Sequence, residues 1–131
     1  MKQISNLIIA TLFSVILISA CDDTKITDIE IPLADVKYAE HIQPIFNQSC
    51  NNSGCHNSED NAGGIRLTSY GELFSVPFLI IPGAPQESLI YLSVSGNSVN
   101  IMPPPYGTSL PLTDDQIRGI KTWIEEGAEA N

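Results

Sequence analysis

Positive charge is scarce in this sequence. Six lysines and arginines stand against fifteen aspartates and glutamates in 131 residues, for a formal charge of −9. No basic stripe is present to follow a phosphate backbone, so nucleic-acid binding is not expected. Histidine is limited to two positions, His41 and His56. No Ser-His-Asp, HExxH or glycine-rich phosphate-cradling pattern occurs, which removes the common hydrolytic, zinc-protease and nucleotide chemistries. Strand-like alternation and internal repeats are missing as well. Methionine is nearly absent, with only Met1 and Met102, and cysteine is limited to Cys21, Cys50 and Cys55. Residues this few are informative by where they stand.

Met1-Lys2-Gln3 gives a short positive start, and Leu7 to Ala20 is the chain's one long apolar run. Its length suits a signal h-region and falls short of a comfortable membrane span. It ends in Ile18-Ser19-Ala20-Cys21, which resembles the lipobox of bacterial lipoproteins. That resemblance implies cleavage before Cys21, a diacylglyceryl thioether on Cys21 and acylation of the new amino terminus. Two or more acyl chains hold a protein firmly to a bilayer, whereas one does so only marginally. The other reading is an ordinary secretory signal with Cys21 as a structural cysteine. The expected organisation is a lipoprotein signal over residues 1–20, a lipidated polar tether over 21–35, and one domain over 36–131. Removing residues 1–20 takes away Lys2 alone among the charged residues, so the mature charge is about −10. The expected location is the cell envelope, lipid-anchored to a membrane and facing the periplasm or the cell surface.

Within the domain, Tyr38, Ile42, Ile45 and Phe46 recur at helical spacing. Pro44 has no N–H to donate, so regular helix is expected to begin near it, with Pro44 in the first turn. Cys50 to Gly64 is rich in Asn, Ser and Gly and reads as a loop. Thr68 to Phe74 is a short helix candidate weakened by Gly71. Pro85 suits the first position of a helix running to about Val94 and stopped by Gly96. Asn97 to Leu112 reads as loop around Met102-Pro103-Pro104-Pro105. The last helix has the clearest signals: Thr113 as N-cap, Asp114 and Asp115 in the first turn, and Gln116 at the capping-box position. Its apolar face is Ile117, Ile120, Trp123 and Ile124, and Gly127 is a natural stop. So few apolar residues on so much loop need something in their middle.

Cys50-Asn51-Asn52-Ser53-Gly54-Cys55-His56 resembles the haem-attachment signature of c-type cytochromes, with four residues between the cysteines where the common form has two. The chemistry needs two thiols along one porphyrin edge and an imidazole directly after the second. The extra residues must loop out, and Asn and Gly accept left-handed backbone angles cheaply. An exported cysteine pair is otherwise a disulfide, and that reading stands beside the first. Met102 is the one methionine left after processing and therefore the sole candidate thioether ligand. The prolines after it stiffen its loop, although most loop methionines merely fill gaps. His41 is a second imidazole that a bis-histidine haem would use, and otherwise a surface or satisfied histidine. Glu59 and Asp60 read as a solvated loop.

From Tyr38 to Ala128 the chain resembles the cytochrome c domains called planctomycete-type. The strings that carry the likeness are Ile42-Gln43-Pro44-Ile45-Phe46, Gly63-Gly64-Ile65-Arg66-Leu67, Ile81 to Ile90, Met102-Pro103-Pro104 and Trp123 to Ala128. The resemblance implies an all-α, class I cytochrome c-like fold of three to four short helices around one covalent haem c. It implies thioethers at Cys50 and Cys55, His56 as proximal ligand and Met102 as distal ligand. First and last helices would cross, with Phe46 and Trp123 as aromatic contacts or, equally, as ordinary core residues. Arg66 and Tyr70 are candidate donors to the haem propionates; the bland alternative is a solvent-facing Arg and a half-buried Tyr.

The expected function is single-electron transfer by a membrane-held carrier, not an enzyme, serving redox proteins with a basic docking face. Two rivals come from other classes: a haem-free, disulfide-stabilised binding or structural lipoprotein, and a haem sensor or peroxidase-like protein with a displaceable Met102.

Overall fold

The computed structural model describes residues 29–131. The signal, Cys21 and the first part of the tether lie outside these residues. No strand occurs among the described residues, and no helix there is long and apolar enough to cross a membrane.

The chain enters the first helical segment as a π-helical turn, Tyr38–Ile42, and continues as α1, Gln43–Ser49. The wide turn has a local cause. Pro44 offers no N–H and its ring crowds the carbonyl four residues back, so the ladder passes the proline in a looser register. Ile42 N–H therefore donates to Lys37 O at 3.4 Å, five residues back. Pro44 occupies the first turn of α1, where the sequence puts it. Ile42, Ile45 and Phe46 are fully buried.

The next helix, α2, is a single turn, Tyr70–Leu73. The stretch expected as one helix from Pro85 to Val94 is two pieces, a 3-10 turn at Pro85–Glu87 and α3 at Leu89–Val94. Ser88 divides them. It has extended backbone angles and is fully buried. Its Oγ takes the Ile81 N–H at 2.8 Å and donates to Ala84 O at 3.0 Å. A buried hydroxyl that serves loop backbone in this way competes with helix continuation. The N–H groups of Leu89 and Ile90 turn instead to Phe78 O and Leu79 O.

The last helix, α4, runs Asp114–Glu125 with both halves of the expected capping box formed. Ile120, Trp123 and Ile124 are buried, while Ile117 packs at the edge of the core. Gly127 ends it with φ 104°. The crossing of first and last segments occurs at the π turn, where the Trp123 ring meets Tyr38 at 5.5 Å. Tyr70 is its other ring partner, at 6.5 Å. Phe46 belongs to the same core without being one of those ring contacts. Trp123 is thus an aromatic contact, with Tyr38 and Tyr70 as its partners, and Phe46 takes the ordinary core place that was its alternative.

Packing against the domain is present before residue 36. Ile31 is buried against Gly119 of α4, so closely that a Cβ at position 119 would lie 2.5 Å from Ile31 Cγ2. Arg118 Nη2 donates to Ile31 O at 3.0 Å, and Glu126 accepts the backbone N–H groups of Asp35 and Val36. The described part of the expected tether is therefore packed structure.

Candidate functional site

The backbone after α1 folds the two cysteines and the histidine into one closed turn. Cys50 N–H donates to Phe46 O, which finishes the helix, and His56 N–H returns to Cys50 O at 3.0 Å. The residues between are fixed by polar side chains. Asp60 accepts the Gly54 N–H and the Asn57 amide, each at 2.7 Å. Asn57 in turn accepts the N–H groups of Glu59 and Asp60. The hydrogen bond from Asn57, then that from Gly54, hold the Asp60 carboxyl below its usual range. Gly54 alone of the four residues between the cysteines adopts positive φ, at 79°. Asn51 and Asn52 work as hydrogen-bond donors: Asn51 Nδ2 reaches Leu67 O and Asn52 Nδ2 reaches Gln48 O. The expectation that asparagine serves there through left-handed angles is corrected accordingly. Asp60, expected as a solvated side chain, is exposed and also bonded into the loop.

Cys50 is buried and Cys55 half-buried, and neither forms a disulfide. Burial, then the neighbouring Cys55 thiol, push the Cys50 thiol up to about 12. The His56 Nδ1 lies 3.2 Å from Ile65 O. A carbonyl can only accept, so Nδ1 carries the hydrogen, and in the neutral ring Nε2 is left with its lone pair. This is the usual arrangement of a metal-ligating imidazole, whose far N–H is held by a backbone carbonyl.

These groups line a cleft of about 430 Å³, within the range of small-molecule and cofactor sites. Cys50, Cys55, His56 and Met102 all border it. Its apolar lining includes Ile65, Leu67, Leu79, Leu89, Ile90 and Val94, while Ser93, Ser98, Asn100 and Ser109 add hydroxyls and an amide. Met102 is half-buried and fixed through its N–H to Ser93 O at 3.1 Å; the peptide to Pro103 is cis. Two thiols, a nitrogen ligand with its tautomer set, a thioether and a mostly apolar lining are a donor set suited to haem c. A smaller depression of about 280 Å³ beside Asp35, Glu126 and Glu129 holds neither thiol nor imidazole.

Arg66 and Tyr70 are not brought to this cleft. Arg66 is exposed and pairs with Glu72 at 3.6 Å. The Tyr70 hydroxyl donates to Ala128 O at 2.9 Å, and its ring packs on Tyr38 and Phe74. His41 accepts the Lys37 N–H on Nδ1 at 2.8 Å, within its own turn, in keeping with a satisfied histidine. The polar residues that do border the cleft gave no sequence signal, since serine and asparagine are ordinary loop residues.

Residues 53–106 match the family model described as Planctomycete cytochrome C. Over that segment the chain is similar to planctomycete-type cytochrome c domains. The match takes in Cys55, His56 and Met102, and the all-α arrangement of short helices and long loops is that of a small cytochrome c-like fold. A cytochrome c domain belongs to the class of haem-binding electron carriers. No curated protein and no solved structure matches the chain.

Proposed function

We propose that this protein is a lipid-anchored monohaem c-type cytochrome that passes single electrons in a bacterial cell envelope. In this reading Cys50 and Cys55 would hold one haem c through thioethers, and His56 Nε2 and the Met102 sulfur would ligate its iron. One observation carries it: both thiols, the oriented imidazole and the chain's one internal methionine border the same apolar cleft. Haem c would supply a ferric/ferrous couple in that cleft. The chain contributes covalent grip, a histidine turned by Ile65 O, a soft sulfur ligand that favours the ferrous state, and exclusion of water by Leu67, Leu79 and Ile90. The free thiols do not support the disulfide rival.

The membrane assignment rests on Ile18-Ser19-Ala20-Cys21. An anchor there confines the carrier near membrane-bound redox partners and raises its effective concentration. The excess of acidic residues favours partners with a basic face. The deciding experiment is a reduced pyridine-haemochrome spectrum of the chain matured with a cytochrome c assembly system. A c-type band surviving acid-acetone extraction is expected; an extractable haem, or none, ends the proposal. For the anchor, Cys21→Ser should move the protein from the membrane fraction to the soluble fraction, and a variant that stays in the membrane would refute lipidation at that residue.

A further inference from the structure

We propose that Asn52 and Ser109 together form a positioning clasp for Met102, fastening the methionine loop to the segment that carries Cys50, Cys55 and His56. The proposal rests on the reading of Met102 as an iron ligand. Asn52 Nδ2 donates to Ser109 Oγ at 3.0 Å across fifty-seven positions of sequence. Asn52 is one of the four residues between the cysteines, so the insertion supplies the reaching side chain. Its own end is held firmly. The same side-chain amide donates to Gln48 O, and the backbone carbonyl of Asn52 accepts from the Cys55 N–H and the Asn57 amide.

The other end is held by little else. Among the described residues, the segment 98–112 has two hydrogen bonds to the preceding fold: Met102 N–H to Ser93 O, and the Asn52–Ser109 bond. Leu112 packs against the core at the far end of this segment, but packing adds little before it, where Val99 and Tyr106 are each 99 % exposed and Leu110 is 61 % exposed. Ser109 itself borders the cleft together with Met102. A loop pinned at residue 102 by its backbone and at residue 109 by the clasp presents its sulfur in one place. With one pin removed, the loop opens more often. A neutral hydrogen bond of ordinary net strength shifts such an open-to-closed ratio about fivefold.

The test uses the haem-loaded chain and the variants Ser109→Ala, Asn52→Ala and the double variant, with Ser109→Thr as rescue. In the ferric protein, imidazole should displace the methionine, read from the sulfur-to-iron band, at about fivefold lower concentration in each alanine variant. Carbon monoxide should bind the ferrous protein about fivefold faster. The double variant should match the singles, because both break one bond, and threonine should restore the parent values. Gly119→Ala, remote on α4, should lower global stability without moving either reading. Alanine variants indistinguishable from the parent in both readings would overturn the clasp. Should Asn52→Ala fail to mature, Ser109→Ala decides alone, since it leaves the attachment loop intact. A parent protein with covalent haem but no sulfur-to-iron band would overturn the Met102 reading and the clasp with it.

Discussion

At the scale of single residues, the site separates grip from ligation, and the two can be tested apart. His56 sits next to a thiol in sequence and is turned by Ile65 O in space. His56→Ala should therefore lose low-spin haem, visible as a weakened and shifted Soret band in the isolated protein. Met102→Ala should keep covalent haem and lose the sulfur-to-iron band, leaving the ferrous protein able to bind carbon monoxide. Unchanged spectra in either variant would remove that residue from the iron.

Asp60 gives a pH test. Its carboxyl is held below the ordinary range by the Asn57 and Gly54 hydrogen bonds. A depressed carboxyl contributes above its unfolded value and loses that contribution as pH falls through its folded value. The Gly54 amide should thus lose hydrogen-exchange protection as pH drops below about 4, the normal aspartate range. Asp60→Asn should flatten that dependence. Cys50, Cys55, His56 and Met102, which border one cleft, stood out in the sequence because their residue types are rare in it. The partners of Arg66 and Tyr70 were not legible there, since a donor's target depends on tertiary neighbours: the Tyr70 hydroxyl is claimed by a carbonyl fifty-eight positions away.

At the scale of elements, local rules succeeded where local causes act. Thr113 and Gln116 form the capping box their spacing announces. Thr113→Ala should cost about 1 kcal/mol, seen as a lower urea midpoint with an unchanged slope. Pro44 marks the start of regular helix, and the same missing N–H produces the π turn before it. The split at Ser88 was hidden because its cause is burial. A serine reads as neutral in a helix until its hydroxyl is found between Ile81 N and Ala84 O. Ser88→Ala strands the Ile81 N–H and should destabilise by about 1–3 kcal/mol. A stabilised variant would mean that the extended angles at residue 88 have another origin.

At the scale of the whole molecule, the apolar inventory is divided between a packed core around Trp123 and a cleft whose buried walls include Leu67, Leu79 and Ile90. A small domain with so open an interior depends on what fills it. The Cys50→Ala, Cys55→Ala double variant, made without attached haem, should unfold at a lower temperature than the matured parent and show less helical circular dichroism. Equal stability of the two would show that the cleft needs no occupant. The fold class was readable from short helix signals separated by polar loops. The packing of the segment before Val36 was not, because Ile31 looks like part of a tether until the notch at Gly119 that receives it is known.

That notch has a practical consequence. Gly119 lacks a side chain at the spot where the Ile31 methyl comes to rest, and Arg118 grasps the carbonyl of the same residue. The stretch before Val36 works as a stopper, so a shortened version beginning at Val36 would uncork the last helix, whereas one beginning at Ile29 would keep the plug seated.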